Sequence, residues 1–192
     1  EYPSRIIVVM SSLADGADRI VAEEALALGL PLSVVLPMPR PIYEEDFTPE
    51  SLEQFAELCG KAAEIFELPL LPGATPRSIA ESGPNRTRQY AQLGVFLSAH
   101  CHVLLALWDG KGSDLLGGTA ATIQFHHHDV MPGYTPRVTS SKLNLTEDES
   151  DLVYHIVCSR DRPDGEPAPG LKPLETSWFT TDEENPRTAE IS

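Results

Sequence analysis

The chain has 192 residues, of which 41% are hydrophobic and 22% are charged. This length fits one domain, and folding can bury roughly 70% of the surface of the unfolded chain. The 29 acidic and 14 basic residues give a formal net charge of −15, which repels phosphate backbones and argues against nucleic acid as a partner.

Composition also predicts the compartment. No apolar run approaches the ~20 residues of a membrane-spanning helix, and the first residues lead into a strand-like run without a signal-peptide pattern. We therefore expect no membrane segment in this chain. Three cysteines lie far apart, at Cys59, Cys101 and Cys158, which argues against a disulfide framework and against structural zinc. These features predict a reducing, cytoplasmic location. Because the first residue is not Met, we expect that the sequence can be part of a longer protein.

Predicted strands and helices alternate along the chain. The first strand is the apolar, largely β-branched run 5–10, and helix 17–28 follows it, with Gly29 as its predicted stop. Ile20, Val21, Ala25 and Leu28 form its predicted buried face. The later elements are predicted in the order strand 32–36, helix 49–63 capped by Thr48, strand 65–68, helix 87–101, strand 102–108, helix 117–127 and strand 153–158.

Two segments carry little periodicity. Residues 69–85 are rich in Pro, Gly and Ser and predict an unstructured connection, and residues 159–192 predict a Pro-rich extension or linker that packs loosely. We therefore predict a nucleotide-binding domain over 1–158. The alternation of elements predicts an α/β fold, namely a Rossmann-like, doubly wound, mainly parallel sheet with helices on both faces.

The first candidate site follows the first predicted strand. Ser11 and Ser12 supply hydroxyls, Gly16 allows a close backbone approach, Asp18 can accept from ribose hydroxyls, and Arg19 can contact an anion. Such a turn at the carboxyl end of a parallel strand is typical of a ligand site. The alternative is that the Asp complements the helix dipole and the Arg forms a surface ion pair.

The second candidate site follows the most apolar predicted strand. Asp109 and Gly110 suit a ribose or phosphate site, and Trp108 can stack on a base. A simple turn explains Asp109 and Gly110 equally well, and an aromatic residue at a strand end is more often part of the core.

The third candidate site lies where a helix begins. Gly117 and Gly118 allow the chain to wrap a phosphate, and Thr119 can both cap the helix and donate its hydroxyl. The alternative is a capping loop without a ligand. We expect the backbone amides at this point to lie opposite the turn 12–19 and to form a local pocket for negative charge.

The histidine run invites a metal hypothesis. His126, His127, His128 and Asp129 are consecutive, so on a helix their side chains point about 100° apart and do not converge easily on one ion. We therefore predict no metal site and no cofactor.

Four segments in this order and spacing resemble the SLOG superfamily. The first carries Ser12 to Arg19, and the others are 34–39 with Tyr43 and Asp46-Phe47, 104–111, and 117–120. The superfamily joins the DNA-processing protein DprA, the LOG cytokinin-activating enzymes and bacterial defence sensor domains. The resemblance implies a sensor that binds a nucleotide or an NAD-derived molecule and signals to an attached or partner effector. It also allows a homodimer, because members frequently dimerise.

One departure from the resemblance bears on catalysis. LOG enzymes carry a GGxGTxxE pattern, whose Glu position falls here on Gln124 or, in the other alignment, on Thr122. Losing an acid–base group forfeits about 10²–10⁴ in rate. We therefore expect a binding domain without catalytic residues. The alternative is a hydrolase of the nucleotide N-glycosidic bond that uses Glu23, Glu24 or Asp109.

Overall fold

The structure, a computed structural model, describes residues 6–112, 115–135, 151–160 and 163–180. The chain divides into two compact units, Glu1–Gln89 and Tyr90–Ser192. The boundary predicted from the sequence lies at residue 158.

The elements follow one another in the predicted alternation. Those of the first unit are β1 (Val9–Ser11), α1 (Ala17–Ala27), β2 (Leu32–Leu36), α2 (Arg40–Tyr43), a 3₁₀ helix (Glu44–Asp46), α3 (Pro49–Lys61), β3 (Glu64–Glu67) and α4 (Pro76–Ala80). Helix α5 (Pro84–His100) crosses the boundary of the units. The second unit contains β4 (Val103–Trp108), α6 (Thr119–His128), β5 (Leu152–Val157) and β6 (Thr176–Phe179).

The first unit is built on a parallel sheet in the order β1-β2-β3. All five residues of β2, including the polar Ser33, are buried, as is typical of a parallel strand covered on both faces. Strand β1 is shorter than predicted: Ile6, Ile7 and Val8 are 79%, 64% and 50% exposed and precede the strand. Pairing begins only at Val9 with Leu32, since β2 offers no earlier partner. Residue 5, the predicted start, lies outside the described residues.

Helix α1 stops before Gly29 and α3 begins after Thr48, as predicted, although α3 ends at Lys61 instead of residue 63. The amide of Gly29 donates to Leu26 O at 3.0 Å after α1, and Thr48 Oγ1 accepts from the Ser51 amide at the start of α3. The predicted buried face of α1 is partly wrong, because Ile20 and Leu28 are 57% and 74% exposed.

The predicted unstructured connection 69–85 contains a helix. Thr75 and Ser78 form a capping box that starts α4, which is the local reason why this Pro-rich stretch is helical. Gln89 holds the start of the connection. Its Nε2 donates to Pro69 O at 3.0 Å and to Pro37 O, just after β2, at 2.7 Å.

The second unit has a mixed sheet in the order β4-β5-β6, in which β4 and β5 are parallel and β6 is antiparallel to β5. Its core consists of Ala106, Trp108, Ile123, Val153 and Phe179. The prediction of a loosely packed extension after residue 158 is therefore wrong for β6. Pairing with β5 holds this strand, and its Phe179 is 1% exposed.

The described residues thus confirm an α/β protein. It has a parallel sheet in one unit and a mixed sheet in the other, with helices beside both. Across the described residues, every helix falls short of the length and apolarity that spanning a bilayer demands.

Candidate functional site

The turn between β1 and α1 is held by side-chain hydrogen bonds. Ser12 Oγ donates to Asp18 Oδ2 at 2.6 Å, and the Leu13 amide donates to Ser11 Oγ at 3.1 Å. Both serines are buried, and Asp18 is half-buried in the first turn of the helix. The turn therefore brings two hydroxyls and a carboxylate together at the carboxyl end of a parallel strand.

Gly16 gives the turn its shape. Its φ of 88° and ψ of −116° form a conformation that residues with a side chain rarely adopt. It is the N-cap of α1 and supplies no side-chain cap, so the first amides of the helix are left for another partner. The partial positive charge of a helix N-terminus also favours an anion there.

Tyr43 completes this cluster and was not predicted as a site residue. It is 1% exposed at the end of α2, with its ring 4.9 Å from that of Phe47. Burial raises the pKa of the Tyr43 hydroxyl above its ordinary value, against a lowering contribution from the Ser12 hydroxyl. The phenol is thus neutral near pH 7. Its only sequence signal was its place in the resembling segment.

Arg19, for which the sequence predicted contact with an anion or a surface ion pair, is buried and holds the turn. The side chain is 1% exposed, and its Nε donates to Leu13 O at 2.9 Å while Nη1 donates to Ser51 O at 2.6 Å. The guanidinium also lies over the Phe47 ring, 4.6 Å from its centroid, and pairs with Asp15 at 3.0 Å. Arg19 therefore joins the β1 turn to α3 through Nε and Nη1, whereas its buried Nη2 has no hydrogen-bond partner among the described residues.

The second predicted site is also more buried than expected. Trp108 is 3% exposed in the core of the second unit, so the alternative of a core residue applies and a base has no face to stack on. Asp109 is 1% exposed: its Oδ1 accepts from the Lys111 amide at 3.1 Å, and its Oδ2 pairs with Arg160 Nε at 2.8 Å. Asp109 thus orients the two residues that follow β4 and β5.

An open pocket of about 600 Å³ lies beside this ion pair. Lys111 and Arg160 line it, together with Ser159 and the segment around Asp164 and Glu166. Because β4 and β5 are parallel, with Trp108 opposite Val157, their carboxyl ends coincide and bring the two cations to one edge of the sheet.

Main-chain bonds hold the far wall of the pocket. The Ala168 amide donates to Asp109 O and the Arg160 amide donates to Gly165 O, both at 2.7 Å. Gly110 packs so closely against Leu171 that no side chain would fit without a shift. Arg160 and Ser159 were missed from the sequence because their segment was assigned to a loose extension. Both residues follow the carboxyl end of a correctly predicted strand, and this position could have marked them as candidate site residues.

The Gly117–Thr119 segment begins α6, as predicted, but with a different cap. Gly118 is the N-cap, and Thr119 is the exposed first residue of the helix, so the predicted capping by Thr119 is wrong. A Cβ at Gly117 would lie 2.6 Å from the Ala91 amide nitrogen of α5. Close packing against α5 therefore explains why position 117 has no side chain.

The predicted residues are divided between the two units. Ser11, Ser12, Gly16, Asp18 and Arg19 meet in the first unit, whereas Trp108, Asp109, Gly110 and the segment 117–119 belong to the second. A joint pocket of both groups stays a prediction. In the described ranges, no three His, Cys, Asp or Glu side chains are grouped as metal ligands would be.

No protein-family model matches this sequence, and no curated protein matches it either.

Proposed function

We propose that this chain binds a nucleotide or a nucleotide-derived small molecule, as a SLOG-type sensor for an attached or partner effector. The observation that carries the proposal is the Ser12–Asp18 pair at the carboxyl end of β1, 2.6 Å between Oγ and Oδ2. Ligands of parallel α/β sheets bind at this end of the strands.

The carboxylate suits a ribose. The Ser12 hydroxyl holds one oxygen of Asp18, and no group in the described parts of the chain bonds the other. A carboxylate oriented in this way can accept from one or two vicinal hydroxyls of a sugar, and a hydrogen bond to a charged group contributes about 1.5–3 kcal/mol.

The start of α1 suits a phosphate. Gly16 offers no side-chain cap, so the amides of Ala17 and Asp18 lack an intrahelical acceptor. A phosphate at these amides, with the ribose on the carboxylate of Asp18, gives the anionic group and the hydroxyls of the ligand partners of matching chemistry. Both contacts together distinguish a phosphorylated nucleoside from a free sugar.

The proposal includes three further points: the chain is a SLOG domain, its strands form one doubly wound Rossmann-like sheet, and it binds its ligand without catalysing a reaction. The two positions that align with the catalytic Glu of LOG enzymes are Thr122, whose hydroxyl donates to Gly118 O at 3.1 Å, and Gln124, which is exposed. Neither side chain is an acid.

A ligand screen tests the proposal. Thermal unfolding is measured with nucleoside monophosphates, cyclic dinucleotides, NAD and ADP-ribose, and hits are titrated by calorimetry. A ligand at about 100 times its Kd should add ~2.7 kcal/mol of stability. Asp18→Asn and Ser12→Ala should each weaken binding by about tenfold or more, because each removes a charge-assisted hydrogen bond.

Glu53→Gln is the matched control, since this side chain is exposed on α3, and it should bind like the parent protein. The proposal fails if no nucleotide derivative stabilises the fold, or if Asp18→Asn binds unchanged. Steady release of free base from a nucleotide, measured by chromatography, would establish the hydrolase alternative instead.

A further inference from the structure

We propose that the pocket at the carboxyl ends of β4 and β5 binds a phosphorylated sugar. Its phosphate contacts Arg160 and Lys111, and its hydroxyls contact Asp164 and Glu166. None of these four residues takes part in the proposed nucleotide site, so this inference goes beyond that function and stands or falls without it.

The two cations are unusual neighbours in this chain. The protein carries a net charge of −15, yet Lys111 and Arg160 each follow the end of one of two paired parallel strands and line the same pocket. The volume of about 600 Å³ lies within the range of about 300–1,000 Å³ that small-molecule sites occupy.

Asp109 prepares Arg160 for a phosphate. The buried carboxylate takes only Nε of the guanidinium, at 2.8 Å, and no described residue bonds the two terminal nitrogens. The Arg160 side chain is 41% exposed, so a ligand can reach those nitrogens. A guanidinium held at one edge presents its remaining donors as a fixed fork, which matches two phosphate oxygens.

Lys111 is fixed in a similar way. Its Nζ donates to Asp164 O at 2.8 Å, which leaves two N–H donors of the ammonium group. Asp109 also accepts from the Lys111 amide, so a single buried carboxylate orients both residues. The two cations are therefore held by the protein before a ligand arrives.

The acidic lining selects the ligand further. The exposed carboxylates of Asp164 and Glu166 offset the two cations, so a polyphosphate or a nucleic acid would be repelled. A single phosphate attached to several hydroxyls satisfies both parts of the lining, because carboxylates accept hydrogen bonds from hydroxyls. Glucose 6-phosphate is a suitable probe of this class.

Calorimetry with the full chain tests the inference. Glucose 6-phosphate should bind, whereas glucose, inorganic phosphate and pyrophosphate should each bind at least about tenfold more weakly. Arg160→Lys keeps a cation beside Asp109 but removes the fork, and Lys111→Gln removes one charge; each should weaken glucose 6-phosphate binding by about tenfold. Asp164→Asn should reduce the preference for glucose 6-phosphate over inorganic phosphate.

Three controls separate the outcomes. Arg77→Gln, an exposed change on α4, should bind like the parent chain, and so should Asp18→Asn, which disables only the proposed nucleotide site. Thermal unfolding of each variant confirms its fold. The inference is overturned if glucose 6-phosphate does not bind at millimolar concentration, if inorganic phosphate binds as tightly, or if folded Arg160→Lys and Lys111→Gln bind unchanged.

Discussion

The backbone oxygen of Leu13 accepts a hydrogen bond of 2.9 Å from Arg19 Nε, so a side chain of α1 holds the turn that precedes its own helix. Leu13 has a φ of 57° and is fully buried. A non-glycine residue in this conformation costs of order 1–3 kcal/mol unless its surroundings stabilise it. The bond from Arg19 and the burial of the leucine side chain supply that stabilisation.

Arg19→Met should therefore destabilise the fold. The change leaves the carbonyl oxygens of Leu13 and Ser51 without their buried donor, and the expected loss in free energy of unfolding is about 3–5 kcal/mol. Urea unfolding followed by circular dichroism measures it. Arg77→Met, an exposed change, should stay within about 0.5 kcal/mol of the parent protein. Equal stability of both variants would contradict the structural role of Arg19.

Gly16→Ala should cost about 1–3 kcal/mol, although nothing lies within 4 Å of the added methyl group. The cost arises from the backbone, since φ is 88°. Gly60→Ala is the comparison: this glycine lies inside α3 in open space, and the change should stabilise by about 0.4–1 kcal/mol. Chemical unfolding should therefore show changes of opposite sign in the free energy of unfolding of the two variants. A Gly16→Ala variant as stable as the parent would show that the turn differs from the one described.

Gly117→Ala should destabilise the fold for two reasons, namely backbone strain at a positive φ and a collision of the new Cβ with the backbone of α5. The added Cβ would lie 2.6 Å from the Ala91 amide nitrogen and 2.8 Å from the Tyr90 carbonyl carbon, at a φ of 79°. Backbone cannot move aside as a side-chain tip can, so we expect a loss of about 2–4 kcal/mol in free energy of unfolding. Gly112→Ala, with nothing within 4 Å, should be nearly neutral by the same measurement. A stable Gly117→Ala variant would disprove the close approach to α5.

His127 should make stability depend on pH. Its pKa is lowered from 6.5 to about 4, mainly by burial and to a smaller extent by the neighbouring His126. Between these two values the unfolded chain binds more protons than the folded one, so stability falls as the pH decreases from 6.5 towards 4.

The decrease in free energy of unfolding at low pH should be smaller by about 1 kcal/mol in His127→Phe. This value is reduced to allow for the partial exposure of the ring. The measurement is the difference in free energy of unfolding between pH 7 and pH 5 for the variant and its parent. Gln124→Ala, an exposed change on the same helix, should leave that difference as it is. An unchanged difference in His127→Phe would contradict the effect of burial.

The elements that sequence reasoning located are those with local causes. Four of the five residues of strand β2 are apolar, and α3 begins after Thr48 with a proline; neither signal needs a distant partner. The burial of Arg19 could not be predicted in this way. Its acceptor Ser51 lies 32 positions further along the chain, and only the packing of α1 against α3 brings them together.

The same limit applies to the second unit. Strand β6 has four residues in a segment rich in proline, and its identity as a strand depends on pairing with β5, which no local pattern reveals. Arg160 acquires its role only through Asp109, far away in the sequence. Strand-end rules indicated candidate ligand sites, but they did not distinguish side chains that face solvent from those that hold the loops.

The position of Phe179 has a practical consequence. A shortened protein ending at Cys158, the boundary that composition suggests, would remove β6 and leave Val153 and Tyr154 without their strand partners. The core beside Trp108 would open to water, and aggregation through the bare strand would follow. Tags or reporter proteins for future work are therefore better joined beyond Thr180 than at the apparent end of the apolar sequence.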